Sequence, residues 1–146
     1  TMRRIHELCP VVEAGVRSLS LAERRYVDEY AVPVVFWPPE PGSDWVATVL
    51  EKLGNDVYLT IDADVFDSAL LPWVGTPEPG GPSWSDIWAL LRRVATTRHI
   101  VGFDVVEFAP YAEGAASSAY MLARLIYRLI GYIHRRNLAQ EAMHND

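Results

Sequence analysis

The stretch that decides the fold is Val57-Tyr58-Leu59-Thr60-Ile61-Asp62, a short apolar run that ends in a carboxylate. Its β-branched and aromatic residues and its length favour a buried strand over a helix. Apolar residues recur with helical spacing on both sides of it, which predicts helices from Trp45 to Leu53 and from Ser85 to about Thr96. The centre of the chain therefore indicates a helix, a buried strand and a second helix.

The same alternation continues outward in both directions. Further strands are predicted at Val11–Val16, Val32–Trp37 and Ile100–Val106, and further helices at Leu21–Tyr30 and Ser117–Arg136. Continuous apolar strands that alternate with helices predict an α/β fold of three αβα layers with a mostly parallel sheet, here of four strands. The stretch 68–81 is rich in proline and glycine and is predicted to be an irregular loop, and the polar tail 137–146 is predicted to fray.

Composition narrows the class of protein. A chain of 146 residues fits one domain, and half of its residues are apolar, which excludes a disordered protein. Thirteen basic against 19 acidic residues give a net charge of −6, which argues against nucleic acid as a partner. No apolar run reaches the about 18 residues of a membrane span, the start of the chain has no signal-peptide pattern, and Cys9 is the single cysteine. We therefore expect a soluble cytoplasmic protein without a membrane partner.

Acidic residues follow the central strand. Asp62 and Asp64 lie two residues apart, so on a strand their side chains project from the same face. Two carboxylates aimed at one point suit a hard divalent cation such as Mg²⁺ or Mn²⁺. Acids at a strand end can equally face water or cap the next turn, and this pair alone leaves both interpretations open.

Other segments give the pair a context. Asp62-Ala63-Asp64, then Gly75-Thr76-Pro77 with Gly80-Gly81, and then Asp104-Val105-Val106-Glu107 closely resemble the C-terminal half of the ureohydrolase family, which includes arginase and agmatinase. Gly15-Val16-Arg17-Ser18 resembles the agmatinase-like branch, so the resemblance covers nearly the whole chain. It implies that residues 1–146 form a single partial ureohydrolase domain.

The resemblance also implies a reaction and a role for several residues. Enzymes of the family use two Mn²⁺ ions to activate a hydroxide that attacks a guanidinium carbon and releases urea. By similarity, Asp62 touches both ions, Asp64 binds the second ion, Glu107 accepts hydrogen bonds from the guanidinium, and Thr76 lines the pocket. Glu78 is a weaker candidate in the same loop. The implied activity is that of a hydrolase of polyamine metabolism, with agmatine converted to putrescine and urea as the first choice.

Part of the family's site has no counterpart in this chain. The family's first half supplies a metal-binding histidine, an Asp-Ala-His-x-Asp run and a proton-shuttling histidine. The four histidines present, which we predict to be solvated surface residues, are His6, His99, His134 and His144. We therefore expect a C-terminal half that is inactive alone, that binds Mn²⁺ poorly, and that forms a homo-oligomer or associates with the missing N-terminal half.

Two positions depart from the family's sequence pattern, and one further aspartate is predicted to have a structural role. Ser68 follows Asp67 where the family has proline, and Trp73-Val74 stands where the family's glycine-rich loop usually has another small residue. Asp104 lies within an apolar strand and is predicted to be a structural or supporting carboxylate instead of a metal ligand.

Two alternatives stay open at this stage. Ile61-Asp62-Ala63-Asp64-Val65 also fits haloacid-dehalogenase-like phosphatases, but these need a lysine after the motif, and the only lysine, Lys52, precedes it. The second alternative is a remnant that has lost catalysis and acts in assembly or interaction.

Overall fold

The chain alternates helices and strands in the predicted order. The structure, a computed structural model, describes residues 2–111 and 114–144. Its elements are α1 (Met2–His6), β1 (Glu13–Val16), α2 (Leu21–Tyr30), β2 (Val34–Phe36), α3 (Trp45–Lys52), β3 (Asp56–Asp62), a 3₁₀ turn (Ala63–Val65), α4 (Trp84–Thr97), β4 (His99–Val106) and α5 (Ala116–His144). They fall into two units, residues 1–53 and residues 54–146.

The first unit pairs β1 and β2 in parallel, with Glu13 opposite Val34. A capping box starts α2, in which the Ser20 hydroxyl accepts from the Glu23 N–H (3.2 Å) and the Glu23 carboxylate accepts from the Ser20 N–H (2.7 Å). This pairing satisfies two backbone donors that a helix start otherwise leaves unbonded. Helix α2 therefore begins at the predicted residue.

The second unit pairs β3 and β4 in parallel and places Asp62 opposite Val106. Helix α4 begins at a second capping box, formed by Ser83 and Asp86, and packs against α5. Apolar side chains that fill this unit include Phe66, Leu71, Val94, Leu125 and Leu129. The α/β class and the parallel pairing of the strands are thus confirmed.

Strand pairing is described within each unit. Ladder hydrogen bonds join β1 to β2 in the first unit and β3 to β4 in the second, so each unit contains one parallel pair, and the predicted single sheet of four strands stays a prediction. Apolar runs predict where a strand forms, but they do not specify which strand becomes its neighbour.

The last helix is longer than predicted. Helix α5 continues past Arg136 to His144, so most of the predicted frayed tail 137–146 is helical, and residues 145 and 146 lie outside the described part. The segment 137–144 contains no glycine or proline and carries leucine, alanine, glutamine, glutamate and methionine, which are good helix formers. Polar character alone was a poor signal for the end of this helix. In the described residues, no helix combines the length and the apolar character that a membrane span requires.

Candidate active site

The carboxyl ends of β3 and β4 lie side by side in the second unit. Asp62 ends β3 opposite Val106, the last residue of β4, and Glu107 follows directly. In parallel α/β sheets, ligand sites form where strands end in this way. The two segments that carry predicted site residues therefore meet at one edge.

Asp62 and Asp64 are linked through the turn between them. The Asp62 Oδ1 atom accepts a hydrogen bond from the Asp64 N–H (2.8 Å) and so caps the 3₁₀ turn Ala63–Val65. The capping role that the sequence left open is thus real, and it holds the two carboxylates close to each other. Asp62 remains accessible to solvent although neighbouring atoms surround part of its carboxyl, whereas Asp64 is half-buried.

Thr76 contacts one of these carboxylates directly. Its backbone N–H donates to the Asp64 Oδ2 atom (3.2 Å), and its hydroxyl donates to the same oxygen. The loop that contains Thr76 therefore comes back across the end of β3. Glu78 lies two residues further along that loop and is half-buried.

Glu107 adopts an unusual backbone conformation. Its φ is +64°, in the left-handed region that residues with a side chain rarely occupy. Gly75 lies against it, since a Cβ atom on Gly75 would come within 3.3 Å of the Glu107 Oε2 atom. Strained backbone of this kind concentrates at functional sites, where the surrounding structure maintains it. The sequence offered no signal for this conformation.

The electrostatics of Asp62 reflect the grouping of acids. Partial burial is the main cause that raises the pKa of the Asp62 carboxyl above its usual value. The Asp64 N–H hydrogen bond acts in the opposite direction, and the negative charges of Asp64 and Glu107 raise the pKa further. The structure thus brings Asp62, Asp64, Thr76 and Glu107 together, as the sequence predicts, although their roles stay predictions.

The loop 68–81 is irregular, as predicted, and two contacts attach it. Val74 forms an antiparallel bridge with Phe108, and the Ala109 N–H donates to the Trp73 carbonyl (3.0 Å). Asp67, which precedes the serine that departs from the family pattern, accepts hydrogen bonds from the N–H groups of Gly80 (2.7 Å) and Gly81 (3.2 Å).

Asp104 connects the two strands next to the site. It accepts hydrogen bonds from the hydroxyls of Tyr58 (3.0 Å) and Thr60 (2.7 Å) across the β3–β4 pair. This carboxylate also raises the pKa of the Tyr58 hydroxyl, since the neutral phenol donates to it. These bonds are those of a structural carboxylate, in agreement with the sequence-based interpretation.

The metal-binding capacity of the described residues is incomplete. Among residues 2–111 and 114–144, no group of three or more histidine, cysteine, aspartate or glutamate side chains is arranged to hold an ion. His134 is exposed, His99 is exposed with its Nδ1 atom 2.9 Å from the Asp56 carboxylate, and His6 lies 3.0 Å from the Tyr26 hydroxyl in the first unit. The side chain of His144 lies outside the described residues. The carboxylates of Asp62 and Asp64 suit an oxygen-preferring divalent cation, but they supply only part of a ligand set.

Comparison with known proteins identifies the family. The family model described as "Arginase family" matches residues 1–131. This chain belongs to the arginase family. It is 36% identical over 135 residues to the N(1)-aminopropylagmatine ureohydrolase of Synechocystis, a match that covers 90% of this chain and 44% of that protein. It is 32% identical to the agmatinase of Pyrococcus horikoshii, with 88% of this chain and 45% of that protein covered.

Solved structures of arginase-family proteins share the fold. The agmatine ureohydrolase of Thermoplasma volcanium superposes with a TM-score of 0.80 and 30% identity, over 94% of this chain and 48% of that one. The arginase of Bacillus subtilis gives a TM-score of 0.75 and 27% identity, over 83% of this chain and 43% of that one. The predicted family and fold are thus confirmed, and the haloacid-dehalogenase-like alternative is excluded. The chain spans about half the length of the arginase-family relatives that it matches.

Proposed function

We propose that the protein hydrolyses a guanidino compound at a pair of manganese ions, and that this chain contributes one half of the site. The observation that carries the proposal is the convergence of Asp62, Asp64, Thr76 and Glu107 at the adjoining ends of β3 and β4. Membership of the arginase family supports the reaction class. The remaining ligands are expected from a segment that corresponds to the other half of the relatives' length.

Asp62 and Asp64 are the proposed metal ligands. Their carboxylates come from one strand end, and the hydrogen bond between Asp62 and the Asp64 N–H limits their relative movement. A bound metal pair supplies Lewis acidity that makes water nucleophilic at neutral pH. Burial is the main cause of the raised Asp62 pKa, and the negative charges of Asp64 and Glu107 add to it. A cation between these acids would offset both effects.

Glu107 is the proposed partner of the substrate guanidinium. A carboxylate can accept two parallel hydrogen bonds from a planar guanidinium, which fixes the orientation of that group as well as binding it. The left-handed backbone at Glu107 and its contact with Gly75 determine where this carboxylate lies. Thr76 is proposed to line the pocket and to hold Asp64 in place by its two hydrogen bonds.

Agmatine is the first candidate substrate, which would yield putrescine and urea and would place the protein in polyamine metabolism. The name of the Pyrococcus horikoshii relative supports this choice. Relatives from Synechocystis and Thermus thermophilus are named for N(1)-aminopropylagmatine, which makes that compound the second candidate. Arginine, guanidinobutyrate and formiminoglutamate are the comparison compounds. A cytoplasmic location stays a prediction.

The test is urea release by a polypeptide that joins residues 1–146 to the segment of the Synechocystis relative that this chain does not span. With Mn²⁺ present, we expect urea from agmatine or N(1)-aminopropylagmatine, and a large loss of activity in Asp62→Ala, Asp64→Ala and Glu107→Gln. Asp56→Ala is the matched control, because Asp56 is an exposed acid at the opposite end of β3.

Each negative result has a definite meaning in that experiment. A folded joined polypeptide that binds Mn²⁺ but cleaves none of the guanidino compounds would contradict the substrate class and favour a non-catalytic assembly role. A polypeptide that binds no Mn²⁺ would contradict the assignment of Asp62 and Asp64.

A further inference from the structure

We infer that Asp67 is a positioning residue. Its hydrogen bonds hold the end of the loop 68–81, and this keeps Thr76 in contact with Asp64 and Gly75 next to Glu107. This inference rests on the proposed function, because it concerns the same group of residues. It assigns a role to an aspartate that is neither a proposed metal ligand nor a proposed substrate contact.

The hydrogen bonds of Asp67 reach both ends of the loop. Its Oδ1 atom accepts from the N–H of Ala69 (2.8 Å), while its Oδ2 atom accepts from the N–H groups of Gly80 (2.7 Å) and Gly81 (3.2 Å). The Asp67 N–H in turn donates to the Pro82 carbonyl (3.3 Å). One residue thus closes the loop between its first turn and the segment that enters α4.

Gly80 is suited to this contact for a conformational reason. Its φ is +75°, in the region where glycine is favoured, and a Cβ atom there would meet nothing within 4 Å. The glycine is therefore required by the backbone conformation and not by lack of space. That conformation directs consecutive N–H groups of Gly80 and Gly81 to one oxygen of Asp67.

Thr76 lies between two fixed points of the loop. On one side, Val74 is bridged to Phe108, and on the other side Asp67 holds Gly80. The five residues from Gly75 to Pro79 include two prolines, Pro77 and Pro79, which cannot donate backbone hydrogen bonds. The hydrogen bonds from Thr76 to Asp64 therefore depend on those that Asp67 accepts from Gly80 and Gly81, which follow these prolines.

The first test is amide hydrogen exchange, read by NMR on the 146-residue chain without metal. In Asp67→Ala, we expect the amides of Thr76, Gly80 and Gly81 to exchange at least roughly tenfold faster, because bonds to a charged acceptor are among the stronger ones. Asp67→Asn keeps one carbonyl oxygen, so we expect an intermediate effect. This variant also keeps the test decisive if Asp67→Ala does not fold.

Two further variants separate positioning from general loss of stability. Gly80→Ala disturbs the same contact from the donor side and should accelerate exchange at Thr76 in the same way. Ser83→Ala is the matched control, since it removes the capping box of α4 just after the loop and does not touch Gly80 or Gly81. Unchanged Thr76 exchange in both Asp67 variants, or equal acceleration in Ser83→Ala, would overturn the inference.

The second test adds Mn²⁺ and records paramagnetic broadening at residues 62–64 and 75–76. We expect Asp67→Ala to need about tenfold more Mn²⁺ than the parent chain for equal broadening. Absence of broadening in the parent chain would count against the proposed metal site, while the exchange result would still decide the role of Asp67. Equal Mn²⁺ requirements in the parent chain and Asp67→Ala, with broadening in both, would overturn the inferred effect on Asp64.

Discussion

At the scale of single residues, Asp62 shows how a candidate site residue can oppose folding. It caps a turn through the Asp64 N–H, yet partial burial and the charges of Asp64 and Glu107 raise the pKa of its carboxyl. A raised folded-state pKa means that the ionised form is less favourable in the folded chain than in the unfolded chain. The ionised Asp62 carboxylate therefore makes no favourable contribution to the stability of the metal-free chain.

Asp62→Asn should stabilise the metal-free chain at neutral pH by a few tenths of a kcal/mol, since the amide oxygen can still cap the turn. The sign follows from linkage. Because the folded pKa of Asp62 lies above the unfolded one, its contribution to stability falls as the pH rises from about 4 through the raised pKa. In urea unfolding at acid and neutral pH, the free energy of unfolding of Asp62→Asn relative to that of the parent chain should therefore increase with pH.

The control for this prediction is Asp56→Asn. Asp56 is exposed at the start of β3 and contacts His99, so its replacement should leave stability unchanged or slightly lower it at neutral pH. A loss of stability in Asp62→Asn that matches the loss in Asp56→Asn would contradict the electrostatic argument.

At the scale of elements, local chemistry predicted the helix starts better than it predicted the end of the last helix. Ser20 and Ser83 each form a capping box, and these serines are readable in the sequence as helix starts. Helix α5 extends to His144, beyond the predicted end at Arg136, because no glycine or proline marks the end of this helix in the sequence. The positive φ of Glu107 also depends on packing by distant segments, so no residue pattern in the sequence predicted this conformation.

Two glycines in unit 54–146 allow a matched prediction about elements. Gly131 lies in α5 with nothing within 4 Å of an added Cβ, so Gly131→Ala should raise the free energy of unfolding by about 0.5–1 kcal/mol through helix propensity. Gly102 lies in β4 under the Tyr58 ring, where a Cβ would come within 2.9 Å of Tyr58 Cε2. Gly102→Ala should therefore cost about 1 kcal/mol or more and disturb the bond from Tyr58 to Asp104.

Chemical denaturation of both glycine variants measures these effects under identical conditions. The Tyr58 ring resonances provide a local check, because they should shift in Gly102→Ala and not in Gly131→Ala. Similar stability for the two variants would show that the Tyr58 ring moves aside at little cost.

At the scale of the whole molecule, the resemblance of local motifs predicted the family correctly, because a carboxylate pair after a strand and a glycine-rich loop are readable along the chain. The metal and substrate roles of Asp62, Asp64, Thr76 and Glu107 stay predictions. The geometry of the site required the fold. The register of β3 and β4 places Asp62 opposite Val106, the residue that precedes Glu107. The hydrogen bond from Gly80 to Asp67 holds the loop 68–81 where Thr76 can contact Asp64. Neither long-range relation can be derived from spacing along the chain.

Exposed apolar side chains in unit 54–146 predict association. Tyr58, Val101 and Val106 are 60%, 58% and 39% exposed, and Tyr127 on α5 is 79% exposed. Large exposed apolar surfaces usually mark an interface. We expect the sedimentation coefficient of the purified chain to rise with concentration. Val101→Lys should reduce that rise if β4 forms the interface, and Tyr127→Lys should reduce it if α5 does. A monomer at high concentration would contradict this prediction.

The final prediction concerns the isolated chain as a catalyst. Two manganese ions need on the order of eight ligand positions, whereas the described residues offer Asp62 and Asp64 and no cluster of three or more candidate ligands. The purified 146-residue chain should therefore bind Mn²⁺ weakly and release no measurable urea from agmatine. Colorimetric urea detection with a saturating Mn²⁺ concentration checks this, with an intact agmatinase as the positive control. Urea release by the chain alone, abolished by Asp64→Ala, would show that this half holds a complete site and would refute the half-site proposal.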